Sequence, residues 1–352
     1  MIDKSEKLRR ALLWLPAKLY ELAVRIRVVA YETQYLKSKS LRSVIISVGN
    51  ITHGGTGKTP MVAYIARYLA EEGHRVAILT RGYSRKSKGR RTLNSGDETT
   101  SDYREYGDEP LMLARALPGV PIVIDRNRYE GGMWAESEFH TDALILDDGY
   151  QHLALTRDLN LLLLDATDPF GGFEMAPFGR LREPLYGLKR ADAVIITRAD
   201  RPTDQAQMAA IIKYFCGEKV PVMYLYSAIT HLRHLATDEI YDIHEFTGWN
   251  ASLLCGIGNP QAFSQDILET GMGITSEHVF GDHHAYTQEE LDRVIESAQR
   301  EGADAVVTTE KDAVRLEGLR HGEMPVYAAQ MEIQSEDEIR LKSLLLRAMI
   351  KK

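Results

Sequence analysis

Residues 43–59, SVIISVGNITHGGTGKT, decide the reading of this chain. Val44, Ile45, Ile46 and Val48 form a β-branched apolar run of strand length, a glycine-rich loop follows, and Lys58-Thr59 opens a helical stretch. Strand, glycine loop and helix in that order are the context of a phosphate-binding P-loop. Gly54, Gly55 and Gly57 let the loop, with Thr56 among them, turn successive N–H groups onto phosphate oxygens. The helix N-terminus adds partial positive charge, Lys58 can reach the β- and γ-phosphates, and Thr59 can hold Mg²⁺. The pattern G-x-x-x-x-G-K-[ST] departs at its first position, where Thr52 stands in place of glycine.

Working outward, 352 residues favour two lobes over one core. Composition is that of an ordinary globular protein, 44% hydrophobic and 26% charged. Cys216 and Cys255 lie far apart without metal-ligand spacing, which argues against a disulfide scaffold or zinc site. No cleavable signal sequence is expected. Net charge is −7, yet residues 1–42 hold ten Lys/Arg against four Asp/Glu, a local +6 that leaves −13 for the rest. An acidic body with a basic arm argues against nucleic acid as a partner and suggests that the arm meets an anionic surface. In residues 11–30, charges at Lys18, Glu21, Arg25 and Arg27 exclude an ordinary membrane span. With Pro16 in a first turn, Leu19, Leu22, Ala23, Ile26, Val29 and Ala30 recur at helical spacing, with Lys18, Glu21, Arg25 and Glu32 mostly on the opposite side. This describes a basic amphipathic helix suited to a membrane interface or to packing on its own domain. The preceding Leu12-Leu13-Trp14-Leu15 favours the interface.

Further along, strands are expected at 75–80, 120–124, 143–146, 159–164 and 193–196, alternating with helices as in a doubly wound, mostly parallel sheet. Asp147-Asp148-Gly149 ends the run ALIL, the Walker B arrangement that sets a carboxylate near the P-loop metal. Arg85, Lys86, Lys88, Arg90 and Arg91 form a basic loop expected to be solvated. After 220–229 a second, smaller α/β series begins. It has a strand at 253–257, helices at 260–270 (capped by Asn259) and 287–300, strands at 305–308 and 326–329, and a last helix at 336–350. The expected divisions are 1–38 for the N-terminal helix, 39–222 for the P-loop core, 223–330 for the smaller lobe and 331–352 for the C-terminal helix. Asp108, Asp125, Asp147 and Asp148 follow strands and are candidate carboxylates, and His283-His284 is the most localised histidine feature.

The motifs SVGNITHGGTGKTP, RGY, GDEP, LDDGYQH, GRLREP, GIGNP, FGDHHAY and TTEKDAVRL follow one another in a single order. In this the chain resembles the tetraacyldisaccharide 4′-kinases, the lipid A 4′-kinases of Gram-negative bacteria. The resemblance implies transfer of the γ-phosphate of ATP, with Mg²⁺, to the 4′-hydroxyl of an acylated glucosamine disaccharide 1-phosphate. It also implies peripheral attachment to the cytoplasmic face of the inner membrane, with no obligatory protein partner. Carried over by motif, Lys58 and Thr59 would serve phosphates and magnesium, the amides of residues 54–57 the cradle, and Asp147 and Asp148 the metal. Asp108 of GDEP would take the hydroxyl proton, and His283 would pair with it from the second lobe. Tyr83 and the pair Arg182-Glu183 would flank nucleotide or substrate. The chain departs from the family in PFGGFEMAPFGRLREP (169–184) and in the bulk of His53. The alternative is a partition- or chaperone-type ATPase switch, whose K-G-G-x-G-K-[ST] loop lacks its first lysine here. A GTPase would need N/T-K-x-D, and Thr197-Arg198-Ala199-Asp200 carries arginine at the lysine position.

Overall fold

The computed structural model describes residues 4–83, 85–94, 102–201, 204–335 and 337–351. In chain order the first lobe contains α1 (Lys4–Glu32), β1 (Val44–Asn50), α2 (Lys58–Glu71), β2 (Val76–Thr80), β3 (Arg91–Leu93), α3 (Tyr103–Tyr106), α4 (Asp108–Ala116), β4 (Ile122–Ile124), α5 (Arg128–Phe139), β5 (Ala143–Asp147), β6 (Leu159–Asp165), β7 (Ala193–Thr197), α6 (Gln205–Cys216) and β8 (Val222–Tyr224). The second lobe follows with β9 (Tyr226–His234), β10 (Ile240–Asp242), β11 (Asn250–Cys255), α7 (Pro260–Glu269), β12 (Gly273–Val279), α8 (Gln288–Arg300), β13 (Ala305–Thr309), α9 (Glu310–Leu316) and β14 (Val326–Gln334), and α10 (Glu338–Ile350) closes the chain.

The first sheet has the order β3-β4-β2-β5-β1-β6-β7-β8, parallel throughout except for the edge strand β3. Every residue of β1 is buried, because the strand is covered on both faces. Val44, Ile46 and Val48 pack on Met61, Val62, Ile65 and Leu69 of α2, while Ile45 faces the layer of Leu79, Leu144 and Ala135. Alternate side chains thus serve two layers, and the carboxyl ends of the strands open into one crevice. Helix α5 is absent from the expected elements because Gly131-Gly132 lowers its helical propensity. Packing demands those glycines: a Cβ at Gly132 would stand 2.3 Å from Leu41 Cδ1.

Residues 220–229, read as one run, split at Leu225. β8 belongs to the first sheet, and β9 pairs antiparallel with β14 in the second, whose order is β10-β9-β14-β13-β11-β12. The boundary expected at 222/223 therefore falls within β8, and that at 330/331 cuts β14. The final helix starts at Glu338, and the expected start at 336 lies outside the described residues. The caps at Asn259 and Thr287 form as expected, the latter with a full capping box to Glu290. Helix α1 starts well before Pro16, which lies in its interior. The ring there removes one backbone donor, a loss tolerated in a long helix whose flanking residues are largely in water. Among the described residues, no helix is long and apolar enough to cross a membrane.

Helix α10 returns to the first lobe. Leu341, Leu345 and Ala348 join the core beneath α2, and Glu338 accepts a 2.9 Å hydrogen bond from Tyr64. The second lobe is thus a sheet inserted between two strands of chain that both begin and end on the first. Leu345 is fully buried, so Leu345→Ala should cost about 2–5 kcal/mol. Chemical denaturation should show this as a lower midpoint for the first lobe, whereas a surface helix would leave the midpoint unchanged.

Candidate active site at the lobe interface

The P-loop sits where sequence reasoning puts it, between the end of β1 and the start of α2. Gly54 and Gly57 adopt φ of +120° and +74°, which a side chain would strain. Gly54 also lies against the Arg180 guanidinium, which holds the loop by donating to the His53 carbonyl at 2.9 and 3.1 Å. A Cβ on Gly55 would meet nothing, so the loop faces open space there. Thr56 is buried, with its hydroxyl oxygen lacking a protein partner among the described residues. Among the described residues, Lys58 Nζ has two long contacts, 3.4 Å to Asn50 Oδ1 and 3.8 Å to Asp148. A loosely held ammonium, an unpartnered hydroxyl and an open amide loop together suit a polyanion.

The two aspartates after β5 differ. Asp148 takes a left-handed φ of 51° and receives both arms of Arg182, at 2.6 and 2.7 Å. Burial pushes its carboxyl up, but Arg182 and Lys58 outweigh that and hold it at about 2. Asp147 is buried with one oxygen on the Thr80 hydroxyl at 2.9 Å. Burial and then its neighbour Asp148 raise its proton affinity. Glu109, which sequence reasoning left without a role, is raised to about 7 by burial and by the charges of Asp147 and Asp108. Arg128 crosses beneath, donating to the carbonyls of Asp125 and Asp147 at 2.6 and 3.4 Å.

Asp108 opens α4 after Gly107, whose φ of +96° sets the turn. Across the cleft, His283 stands on the loop after β12, also left-handed with φ 61°. Its Nδ1 lies 2.9 Å from Asp108 Oδ2. The same oxygen accepts a hydrogen bond from Arg315 of α9, a buried guanidinium that also donates to Asp312 at 3.1 Å. Burial raises the Asp108 carboxyl, but the His283 hydrogen bond and Arg315 charge win and hold it well below the usual carboxylate range. Lys311 Nζ lies 3.4 Å from His283 Nε2, and the Arg315 guanidinium stands 3.1 Å from its Nδ1. Tyr83 is exposed with its ring 6.0 Å from that of His283.

Of the expected flanking pair, Arg182 reaches the site and Glu183 does not. Glu183 is buried on Arg190 and Gln151, at 2.5 and 2.7 Å, so it braces the loop. In the basic loop, Arg85, Arg90 and Arg91 are engaged locally, on the Gly89 carbonyl, Asp125 and Glu105. Arg198 donates to the P-loop carbonyl of Gly55 at 3.2 Å, while Asp200 turns to Arg201 at 3.3 Å. Arg201 in turn grips Asp266 of α7 at 2.6 Å, a second clasp between the lobes. Arg315 and Lys311 both lie in TTEKDAVRL, and only their place in that motif signalled them. Along the interface runs a cavity of about 790 Å³, lined by Thr59, Pro60, Ile257, Phe263 and Lys311 among others.

A doubly wound sheet with a P-loop on its central strand, and a carboxylate–imidazole pair formed across the two lobes, defines a P-loop phosphotransferase. The family model for tetraacyldisaccharide-1-P 4′-kinase (LpxK) matches residues 9–350. The tetraacyldisaccharide 4′-kinase of Geobacter metallireducens is 38% identical, with 96% of each chain covered. That of Geobacter sulfurreducens is 38% identical over 97% of this chain and 94% of its own. The crystal structure of LpxK from Aquifex aeolicus in complex with ATP superposes with a TM-score of 0.74 at 32% identity, covering 97% of this chain and 99% of that one. The chain belongs to the tetraacyldisaccharide-1-P 4′-kinase family. Membership in a family of kinases sets aside the ATPase-switch and GTPase alternatives.

Glu109 carries a pH signature. Its folded-state proton affinity lies above the ordinary value of 4.5, so folding retains a proton that the unfolded chain releases. Stability therefore falls as pH rises from about 4.5 to about 7. Without nucleotide and in the presence of a chelator, Glu109→Gln should raise the melting temperature at pH 8 and leave it nearly unchanged at pH 4. Equal shifts at both pH values would contradict this assignment.

Proposed function

We propose that this protein transfers the γ-phosphate of ATP to the 4′-hydroxyl of a tetraacylated glucosamine disaccharide 1-phosphate, a step of lipid A biosynthesis. One observation carries the residue assignments: Asp108 and His283, from different lobes, meet at 2.9 Å, and Glu109 beside Asp108 lies in the field of the P-loop Lys58. Lys58 and the amides of residues 54–57 would hold the phosphates. Magnesium suits the oxygen donors present, the Thr59 hydroxyl with Asp147 and Asp148, since it favours carboxylates and phosphate oxygens. Asp147 fits best as the direct ligand. Its burial makes a lone negative charge costly, whereas Asp148 already has both oxygens on Arg182. The ion would screen phosphate charge.

Asp108 would receive the hydroxyl proton. Its weak basicity fits a loose transition state, in which the acceptor needs orientation first and loses its proton late. His283 and Arg315 hold the carboxylate in place, and proton transfer completes as the new P–O bond acidifies the hydroxyl. Because His283 arrives only with the second lobe, closure would assemble the site and exclude water.

For attachment, Leu12, Trp14, Leu15, Leu19, Leu22, Ile26 and Val29 of α1 are each at least half exposed. The opposite side is tied to the body: Tyr20 donates to the Arg182 carbonyl and Tyr186 to Glu32, both at 2.9 Å. An apolar stripe held beside the site supports peripheral binding to an anionic membrane, in the family's case the cytoplasmic face of the inner membrane. No nucleic acid or obligatory protein partner enters this reading.

Incubation with ATP, Mg²⁺ and the lipid disaccharide should add one phosphoryl group by mass, and a product without it would refute the activity. Asp108→Ala should abolish transfer and leave ATP affinity nearly intact, whereas Lys58→Ala should damage both. Full turnover by the Asp108 variant would overturn its role. Deleting residues 1–30 should release the protein from phosphatidylglycerol vesicles in flotation, and unchanged flotation would remove the anchor.

A further inference from the structure

Three of the four charged side chains of α9 that precede its end are consumed by structure. Glu310 is held by both arms of Arg233, at 3.1 and 2.8 Å. Asp312 accepts from the Thr309 hydroxyl, the Gly256 amide and Tyr286, and Arg315 lies on Asp108. Lys311 is different. It lines the interlobe cavity together with Thr59 and Pro60, the first turn of the P-loop helix. Its Nζ contacts Asp282 at 2.9 Å and His283 Nε2 at 3.4 Å. Its charge also reaches Glu109, the acid on which Lys58 acts as well. Two ammonium groups, one from each lobe, therefore act on one acidic centre.

We propose that Lys311 is a catalytic cation carried in by the second lobe, whose ammonium contacts the γ-phosphate oxygens during transfer. The inference rests on the kinase reading above. In that step the 4′-oxygen forms a bond to the γ-phosphorus, and the bond from that phosphorus to the β,γ-bridging oxygen breaks. The electron pair of the broken bond leaves on ADP, and the hydroxyl proton passes to the Asp108–His283 pair. Lys311 exchanges no bond or proton. It supplies positive charge to oxygens whose negative charge spreads in the transition state, as arginine fingers do in other phosphoryl-transfer enzymes. Asp282 is 47% exposed, and an ion pair that open to water contributes little. A phosphate in the closed site would draw the ammonium away from it. Delivery from the second lobe would also keep this charge away from ATP while the lobes are apart.

The rival role is a tether, with Lys311 pinning the loop at residues 280–286 through Asp282. The test uses the full-length enzyme with Lys311→Ala, Lys311→Met, which keeps the apolar stem, and Asp282→Asn. Two measurements are needed: turnover on the lipid disaccharide, and the gain in affinity for Mg·ADP on adding aluminium fluoride, a mimic of the transferring phosphoryl group. Both Lys311 variants should lose at least ~100-fold in kcat with the KM for ATP within about threefold, because the finger's contribution is made in the transition state. They should also lose the aluminium fluoride gain, while Asp282→Asn keeps kcat within about threefold. A loss in Asp282→Asn equal to that of the Lys311 variants would overturn the proposal, as would Lys311 variants that keep turnover or the fluoride gain. Absence of transfer by the unaltered protein would instead overturn the kinase reading, and this inference with it.

Discussion

Arg315 and His283 reach from the second lobe to one carboxylate oxygen of Asp108 on the first. A buried charge of this kind is stable only while its partners stay, since removing one leaves the rest uncompensated in a poorly solvating site. The contact is therefore a condition on the whole structure: the lobes must stand where the pair can form. The path of the chain meets that condition. It leaves the first sheet after β8, builds the second lobe, and returns through β14 to α10 beneath the P-loop helix. The second lobe is held at both ends, and Arg201 on Asp266 adds a clasp on another side of the cleft.

The acids around the P-loop fall into two groups. Asp108 and Asp148 lie on guanidinium groups and remain ionised across any physiological pH. Among the described residues, Asp147 and Glu109 have no guanidinium in hydrogen-bond contact with their carboxylates, and burial beside like charges raises their proton affinity. Environments that push neighbouring carboxyl groups apart in this way separate their tasks. Three residues facing the crevice, Asp148, Arg198 and His283, hold positive φ without being glycine. Such conformations persist where the surrounding structure over-determines them. Here each turns a charged or titratable side chain toward the cleft.

Much of the fold was legible in the chain. Buried parallel strands read as continuous apolar runs, and β1, β5, β6 and β7 were recognisable for that reason. Elements whose stability comes from packing were not. Helix α5 carries two glycines that only the approach of Leu41 explains, and α1 accommodates a proline that local rules would place in its first turn. The divide between β8 and β9 falls inside one apolar run, because both strands want the same residue types and differ only in which sheet receives them.

For the site, the pairing of Asp108 with His283 was implied only by the family resemblance of the ordered motifs, whereas the sequence by itself determined the P-loop and the two aspartates after β5. These are legible because phosphate binding depends on local backbone geometry, which a short stretch encodes. The tertiary structure alone decided the fate of Arg182, given to Asp148, and of Glu183, turned into the packing beside Arg190. It alone placed Arg315 on Asp108, and Glu109 and Lys311 in one electrostatic field. Charge–charge energies depend on distance and burial. Residues 207 positions apart in the chain acquire both only when the two lobes meet.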